Sequence, residues 1–480
     1  MPSSKQDLLR RIPSVDVLLQ EAEAEWCAAG VPRRIVVECV RSASEETRKH
    51  LLDGTSCSVD PEAIRRTIAA RISQGVRKAM GPHYRKAINA TGIILHTALG
   101  RAVLPAKALR QIHDELSGYS VVQVDVETGQ RSKRDERIEW LLQQLTGAEA
   151  ATVVNNNAAA TAIVLGTVAA GREVIVSRGQ LVEIGGSFRL PDVMAAAGAR
   201  LVEVGATNKT HLRDYERAIT GNTAAILRVH PSNYKIVGFT SEVPLEDLVQ
   251  LGHARGLTVI DDVGAGALVD FSRFGFEKEP TLPESVRTGA DIITSSADKL
   301  IGGSQGGIIL GKAALIQAIR KNPLARIVRV GKLTLAALEA TLGLFLDEAL
   351  ALREVPTLRM LCRPFAEIGQ QAERIARAIG ERAPGTAAGV IDGFSQMGSG
   401  SLPGQDLPTR LVAIGPAGID AGDVAARLRR HAPPVFVRVH KGQVLADPRT
   451  LLEGEEELLV RALVEALGER RGTGDEGREQ

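Results

Sequence analysis

The run Ile292-Ile293-Thr294-Ser295-Ser296-Ala297-Asp298-Lys299-Leu300-Ile301-Gly302-Gly303-Ser304-Gln305-Gly306-Gly307 decides how the rest of the chain is read. An apolar strand ends in hydroxyls and a lysine, and a glycine-rich loop follows. That order suits an amine that must reach an aldehyde from a rigid support, in surroundings that lower its pKa, beside glycines that admit a ring. It points to Lys299 as a Schiff-base lysine for pyridoxal 5'-phosphate, with Ser296 placed to hydrogen-bond the phosphate. Alone the pattern is weak, because a solvated lysine beside a turn is common.

Other strand ends strengthen it. Thr258-Val259-Ile260-Asp261-Asp262-Val263-Gly264 puts a carboxylate 37 residues before the lysine (299 − 262). Asp262, with Asp261 as the alternate, can pair with the protonated pyridine nitrogen and keep the ring an electron sink. Val153-Val154 runs through Asn155, Asn156 and Asn157 into the Ala-rich segment from Ala158, a turn into a helix whose free amides can cradle a phosphate. Val229-His230-Pro231-Ser232-Asn233 offers Ser232 or Asn233 to the cofactor's phenolic oxygen. Four polar clusters at carboxyl ends of strands converge on one crevice of a parallel sheet. No Walker A motif and no G-x-G-x-x-G after the first strand compete with this reading.

The sheet is read from seven near-continuous apolar runs at 151–154, 173–176, 201–204, 225–229, 257–260, 291–294 and 307–310. Joined mostly by helix-length connections, they predict a mostly parallel seven-stranded α/β sheet of the aminotransferase-like fold (fold type I). Ser132 to Asp135 predicts a capping box, with Ile138, Leu141, Leu142 and Leu145 forming a helix stripe that Gly147 ends. A long helix is expected over 334–352, then a helix at 372–379 ended by Gly380. Strands at 412–414 and 435–439 and a helix at 423–430 complete a small α+β domain. The expected organisation is a helical domain over 1–85, a large domain over 86–350, a small domain over 351–470 and a disordered tail over 471–480.

The chain has 480 residues, 24% of them charged, and 59 Lys and Arg against 57 Asp and Glu leave a net charge of +2. A uniformly cationic nucleic-acid binder is excluded, and any polyanion site must be local. Residues 1–86 carry 15 Lys or Arg against 11 Asp or Glu, a net of +4, so the front module is basic. Between Lys312 and Leu338 lie six bases and no acid, among them Arg326 and Arg329, which a helix would put on one face to hold a phosphate-like anion. Cys27, Cys39, Cys57 and Cys362 have no paired spacing, which predicts buried thiols in a reducing compartment and no metal site. No stretch of 18 apolar residues occurs, so a cytoplasmic protein without membrane spans is expected.

Eight blocks carry a resemblance: INATGIILHTALGRAVL (88–104), VETGQRSKRDERIEWLL (126–142), VVNNNAAA (153–160), SRGQLVEIGGSFRLPDVM (177–194), EVGATNKTH (203–211), DDVGAGALVD (261–270), SADKLIGGSQGGIILG (296–311) and KLTLAALEATL (332–342). In this order they resemble the bacterial L-seryl-tRNA(Sec) selenium transferase (selenocysteine synthase) family over nearly the full chain. The family usually has H-T-N-L-G-R where this chain has Ala98, and G-E-L where it has Gln180.

The resemblance implies pyridoxal-phosphate-dependent conversion of seryl-tRNA(Sec) to selenocysteinyl-tRNA(Sec), using selenophosphate, through an aminoacrylyl intermediate. It implies Arg101, Arg326 and Arg329 at the selenophosphate site, and tRNA held by the front helical domain. It further implies a homo-oligomer built from dimers, up to a decameric ring. The site is expected between subunits, because Arg101 is far from Lys299 in sequence. The alternatives are a related lyase acting on an amino sugar acid and a non-catalytic tRNA-binding protein.

Overall fold

The computed structural model describes residues 9–53, 60–186, 188–416 and 418–468. The expected tail over 471–480 lies outside the described residues. The chain forms two compact units: one holds the chain up to Ile88 with Ala426–Val435 and the chain from Arg461 on, the other holds Asn89–Ala425 with Phe436–Val460.

The first unit contains helices α1 (Val15–Ala22), α2 (Arg33–Leu52) and α3 (Pro61–Met80). Ser14 caps α1 by accepting from the Val17 N–H, and Asp60 caps α3 by accepting from Ala63, with Pro61 in the first turn where its missing N–H costs nothing. Ile64, Ile68, Ile72 and Val76, spaced by four, pack with Val36, Val40 and Leu18 into a core of their own. Arg66, Arg77 and Lys78 stay exposed on α3.

The second unit is built on seven strands: β1 (Ala150–Val154), β2 (Glu173–Ser177), β3 (Arg200–Val204), β4 (Thr223–Val229), β5 (Thr258–Gly264), β6 (Ile292–Ser296) and β7 (Gly307–Gly311). Their order is β1-β7-β6-β5-β4-β2-β3, and only β7 runs antiparallel to its neighbours. The expected aminotransferase-like α/β fold is therefore the one adopted. Successive side chains of a strand face opposite sides. Accordingly Val153, Ile175, Ile226, Val259, Ile293 and Ile308 enter one core, whereas Val154, Val174, Leu227, Ile260, Ile292 and Ile309 enter the other. Burial on both faces is why most of these strands read as near-continuous apolar runs.

Helices α4 (Glu136–Thr146) and α5 (Asn157–Val168) flank β1. Gly147, at φ +76°, ends α4 as its sequence predicts. The predicted capping box at Ser132 does not form: the cap is Asp135, whose side chain instead accepts from Thr152 Oγ1 at 2.6 Å and pairs with Arg320 at 3.1 Å. The helix expected over 334–352 is two helices, α6 (Lys332–Leu344) and α7 (Glu348–Glu354). Asp347 starts the second by accepting from the Leu350 N–H. Gly380 does not end a helix but lies inside α8 (Phe365–Arg382), whose buried stripe of Ile368, Ala372, Ile375 and Ile379 outweighs one glycine.

A four-stranded antiparallel sheet follows: β8 (Ala387–Gln396), β9 (Asp406–Gly415), β10 (Arg438–His440) and β11 (Gln443–Ala446), ordered β8-β9-β11-β10. Cys27, Cys39 and Cys362 are free and half-buried rather than fully buried, and Cys57 lies outside the described residues. Among the described residues no helix is long and apolar enough to cross a membrane.

Candidate active site

A cavity of about 380 Å³ opens at the carboxyl ends of β1, β4, β5 and β6, and Lys299 lines it. Lys299 is 6% exposed, and burial lowers its pKa below the ordinary lysine range. The charges of Asp298 and Asp262 oppose that shift and Arg101 reinforces it. Glycines around the cavity let backbone segments approach closely. A Cβ on Gly307 would sit 2.1 Å from the Asn156 carbonyl oxygen, and one on Gly266, at φ +75°, would sit 2.5 Å from the Ser296 carbonyl oxygen.

The two adjacent aspartates face opposite sides of β5. Asp261, with no exposed surface, pairs with Arg228 Nη1 at 2.9 Å and accepts from Ser285 Oγ at 2.6 Å. Asp262 faces the cavity, accepting from Asn157 Nδ2 at 2.9 Å, Thr161 Oγ1 at 3.1 Å and the Gly264 N–H at 3.2 Å. Burial raises the Asp262 pKa, against the hydrogen bonds from Asn157 and Thr161 and the charge of Lys299. A cationic ring nitrogen brought beside it would favour its ionised form.

Asn156 caps α5 by accepting from Ala159 N at 2.8 Å, and Asn156, Asn157 and Ala158 line the cavity at that helix start. Ser296 and Ser232 line it as well. Asn233 does not: it is exposed and its amide donates to the Glu183 carbonyl at 2.8 Å. His230, Asp298 and Gln305, which the motif reading passed over, are also in the wall. Position was their available signal: His230 directly follows the last residue of β4, and Asp298 directly precedes the lysine. Among the described residues no cluster of His, Cys, Asp and Glu could hold a metal.

Of the three arginines, Arg101 alone lines the Lys299 cavity. It adopts φ +62°, and its Nη1 donates to Asp298 Oδ2 at 2.7 Å. Arg101 therefore reaches the Lys299 cavity within its own chain despite its distance in sequence. Arg326 and Arg329 line a second cavity of about 340 Å³, together with Arg134. The helix there, Leu324–Ile327, ends before Arg329, so the pair does not share one helix face. The charges of Arg134 and Arg326, with Arg131, lower the Arg329 pKa, which marks a concentrated cationic patch. The surrounding acid-free stretch is not acid-free in space: Arg320 pairs with Asp135 and Glu139, and Lys312 pairs with Asp291.

Gln180 is 4% exposed and accepts from the Val229 N–H at 3.1 Å, steadying the end of β4 through an oxygen that a glutamate there could also supply. Ala98 lies exposed in the short turn Thr97–Leu99.

Residues 87–452 match the L-seryl-tRNA selenium transferase family, and residues 9–48 match the family described as selenocysteine synthase N terminal. The chain belongs to the L-seryl-tRNA selenium transferase family. The L-seryl-tRNA(Sec) selenium transferase of Desulfomicrobium baculatum is 47% identical over 461 residues, 96% of this chain and 99% of that one. The protein of the same name from Geobacter sulfurreducens is 44% identical over 459 residues, 95% and 99% of the two chains. Among solved structures, D-glucosaminate-6-phosphate ammonia-lyase superposes with a TM-score of 0.57 at 23% identity, covering 82% of this chain and 98% of its own. That likeness concerns the fold.

The residues of the cavity suit pyridoxal phosphate. A buried lysine supplies the amine and a buried carboxylate waits for a cationic nitrogen. Asn157 Oδ1 is buried there without a hydrogen-bond partner, a polar atom that a bound group would satisfy.

Proposed function

We propose that this protein is a pyridoxal-phosphate-dependent L-seryl-tRNA(Sec) selenium transferase. It converts L-seryl-tRNA(Sec) to L-selenocysteinyl-tRNA(Sec), exchanging the serine hydroxyl for selenium from selenophosphate. One observation carries this reading: Lys299, Asp262 and the start of α5 meet in one buried cavity, in a chain 47% identical to a protein of that name over 96% of its length.

When bound, pyridoxal phosphate supplies a ring into which charge at the serine α-carbon can spread. Lys299 anchors it and, with its lowered pKa, takes the α-proton as a free amine. Asp262 holds the ring nitrogen, and Asn156, Asn157, Ala158 and Ser296 take the phosphate. Arg101, anchored on Asp298, stands at the cavity wall to meet the anionic donor. Arg326 and Arg329 lie outside the Lys299 cavity of their own chain, which supports a homo-oligomer in which they serve a neighbouring subunit's site.

The basic helical unit at the front would hold the tRNA by backbone and shape. Replacing the exposed Arg66, Arg77 and Lys78 together by Gln is expected to weaken tRNA binding about tenfold or more. It should also flatten the salt dependence by up to about three phosphate contacts, leaving cofactor absorption unchanged. Filter-binding titrations across salt concentrations check this, and an unchanged slope would place the tRNA elsewhere.

The decisive assay incubates the protein with selenophosphate and either seryl-tRNA(Sec) or seryl-tRNA(Ser). Conversion of the first alone is expected. Failure with seryl-tRNA(Sec), together with ammonia release from an amino sugar acid, would favour a lyase.

A further inference from the structure

His230 and Glu279 form a buried pair that the chemistry above leaves without a role. His230 sits at the end of β4, its backbone N–H donating to the Asp262 carbonyl at 2.9 Å, and its side chain lines the Lys299 cavity. Nδ1 lies 3.6 Å from Glu279 Oε2, with the two side chains 18% and 8% exposed. Both atoms are buried and neither has a hydrogen-bond partner. The separation exceeds a hydrogen bond by only a few tenths of an ångström, and leaving both groups unpaired is costly.

The surroundings set the protonation of the pair. Burial lowers His230 to about 4, with Arg228 reinforcing and Asp261 opposing the shift. Burial raises Glu279 to about 7, reinforced by Glu277. Arg228 is already engaged by Asp261 and Glu277 by Lys235, so neither is a free counter-charge. Between those two values both groups are neutral: Glu279 holds a proton and His230 offers one lone pair. A neutral imidazole accepting at Nδ1 carries its hydrogen on Nε2.

We propose that Glu279 is a positioning residue that fixes His230 as a hydrogen-bond donor into the Lys299 cavity, where it meets the phenolic oxygen of the pyridoxal ring. This rests on the pyridoxal-phosphate reading, and it gives His230 the contact that the sequence offered to Ser232 or Asn233. Above about pH 7 Glu279 ionises and draws the imidazole hydrogen to Nδ1. Nε2 then becomes an acceptor and the donor is withdrawn.

The test is an absorption titration of the purified holoenzyme from about pH 5 to about pH 9. A donor to the phenolic oxygen stabilises the form whose lysine-linked imine nitrogen is unprotonated. Glu279→Met keeps the volume but offers His230 nothing, and is expected to raise the titration midpoint by about one pH unit. Glu279→Gln cannot ionise, and is expected to lose a component near pH 7 that the unmodified protein shows. A Met variant titrating like the unmodified protein, or a Gln variant keeping that component, overturns the proposal. Absence of a lysine-bound cofactor band from the unmodified protein would instead overturn the cofactor reading.

Discussion

Lys299→Ala is expected to lower selenium transfer by at least about four orders of magnitude, because one amine serves as covalent anchor and as base. Burial is what prepares that amine: at 6% exposure the ammonium loses hydration, and its pKa falls although Asp298 and Asp262 stand nearby. The variant keeps the rest of the cavity. Asp262 remains tied to Asn157 and Thr161, and Arg101 remains tied to Asp298. It is therefore expected to fold and to retain the cofactor without a covalent link. Borohydride reduction followed by peptide mapping reads this directly: label on the Lys299 peptide in the unmodified protein, and none in the variant. Label on another lysine, or activity within tenfold of the unmodified protein, would remove Lys299 from its assigned place.

Much of this site was legible because its parts stand where strands end. Val153-Val154, Ala225 to Leu227, Val259-Ile260 and Ile292-Ile293 are apolar on consecutive residues because both sheet faces are covered. The polar residues that follow each run then fall on one edge, and Lys299, Asp262, Asn156, Asn157, Ser232 and Ser296 meet there. What stayed hidden depends on partners distant in the chain. Arg320 looks like a free base until Asp135 and Glu139 approach it, and Asp135 looks like a helix cap until Thr152 and Arg320 claim its carboxylate. Arg101 is remote from Lys299 in sequence, and the turn after Ile94-Leu95 brings it to Asp298. Asn233 stands outside the cavity for a local reason: one residue past the buried Ser232 it is exposed, and its amide donates to the Glu183 carbonyl. Glu279 had no local signal at all, since its partner His230 belongs to a strand end 49 residues earlier (279 − 230).

The neighbouring aspartates should separate chemistry from stability. Asp262→Asn is expected to cost about 10²–10³ in turnover while leaving the fold intact, because it removes the charge that faces the ring nitrogen. Its amide can still accept from Asn157 Nδ2 and Gly264 N through one oxygen, and Thr161, which also donates to the Asn157 carbonyl at 3.0 Å, can turn to accept from the new NH₂. Asp261→Asn should do the reverse. Arg228 would keep its charge in a largely buried place without the carboxylate 2.9 Å away, and breaking such a pair costs about 3–5 kcal/mol. Turnover per folded molecule should stay within severalfold, since Asp261 faces away from the Lys299 cavity. Denaturant melts and turnover on matched amounts of folded protein distinguish the two. If Asp261→Asn lost turnover at unchanged stability while Asp262→Asn kept it, the ring nitrogen would belong to Asp261, and the face of β5 that carries the chemistry would be the opposite one.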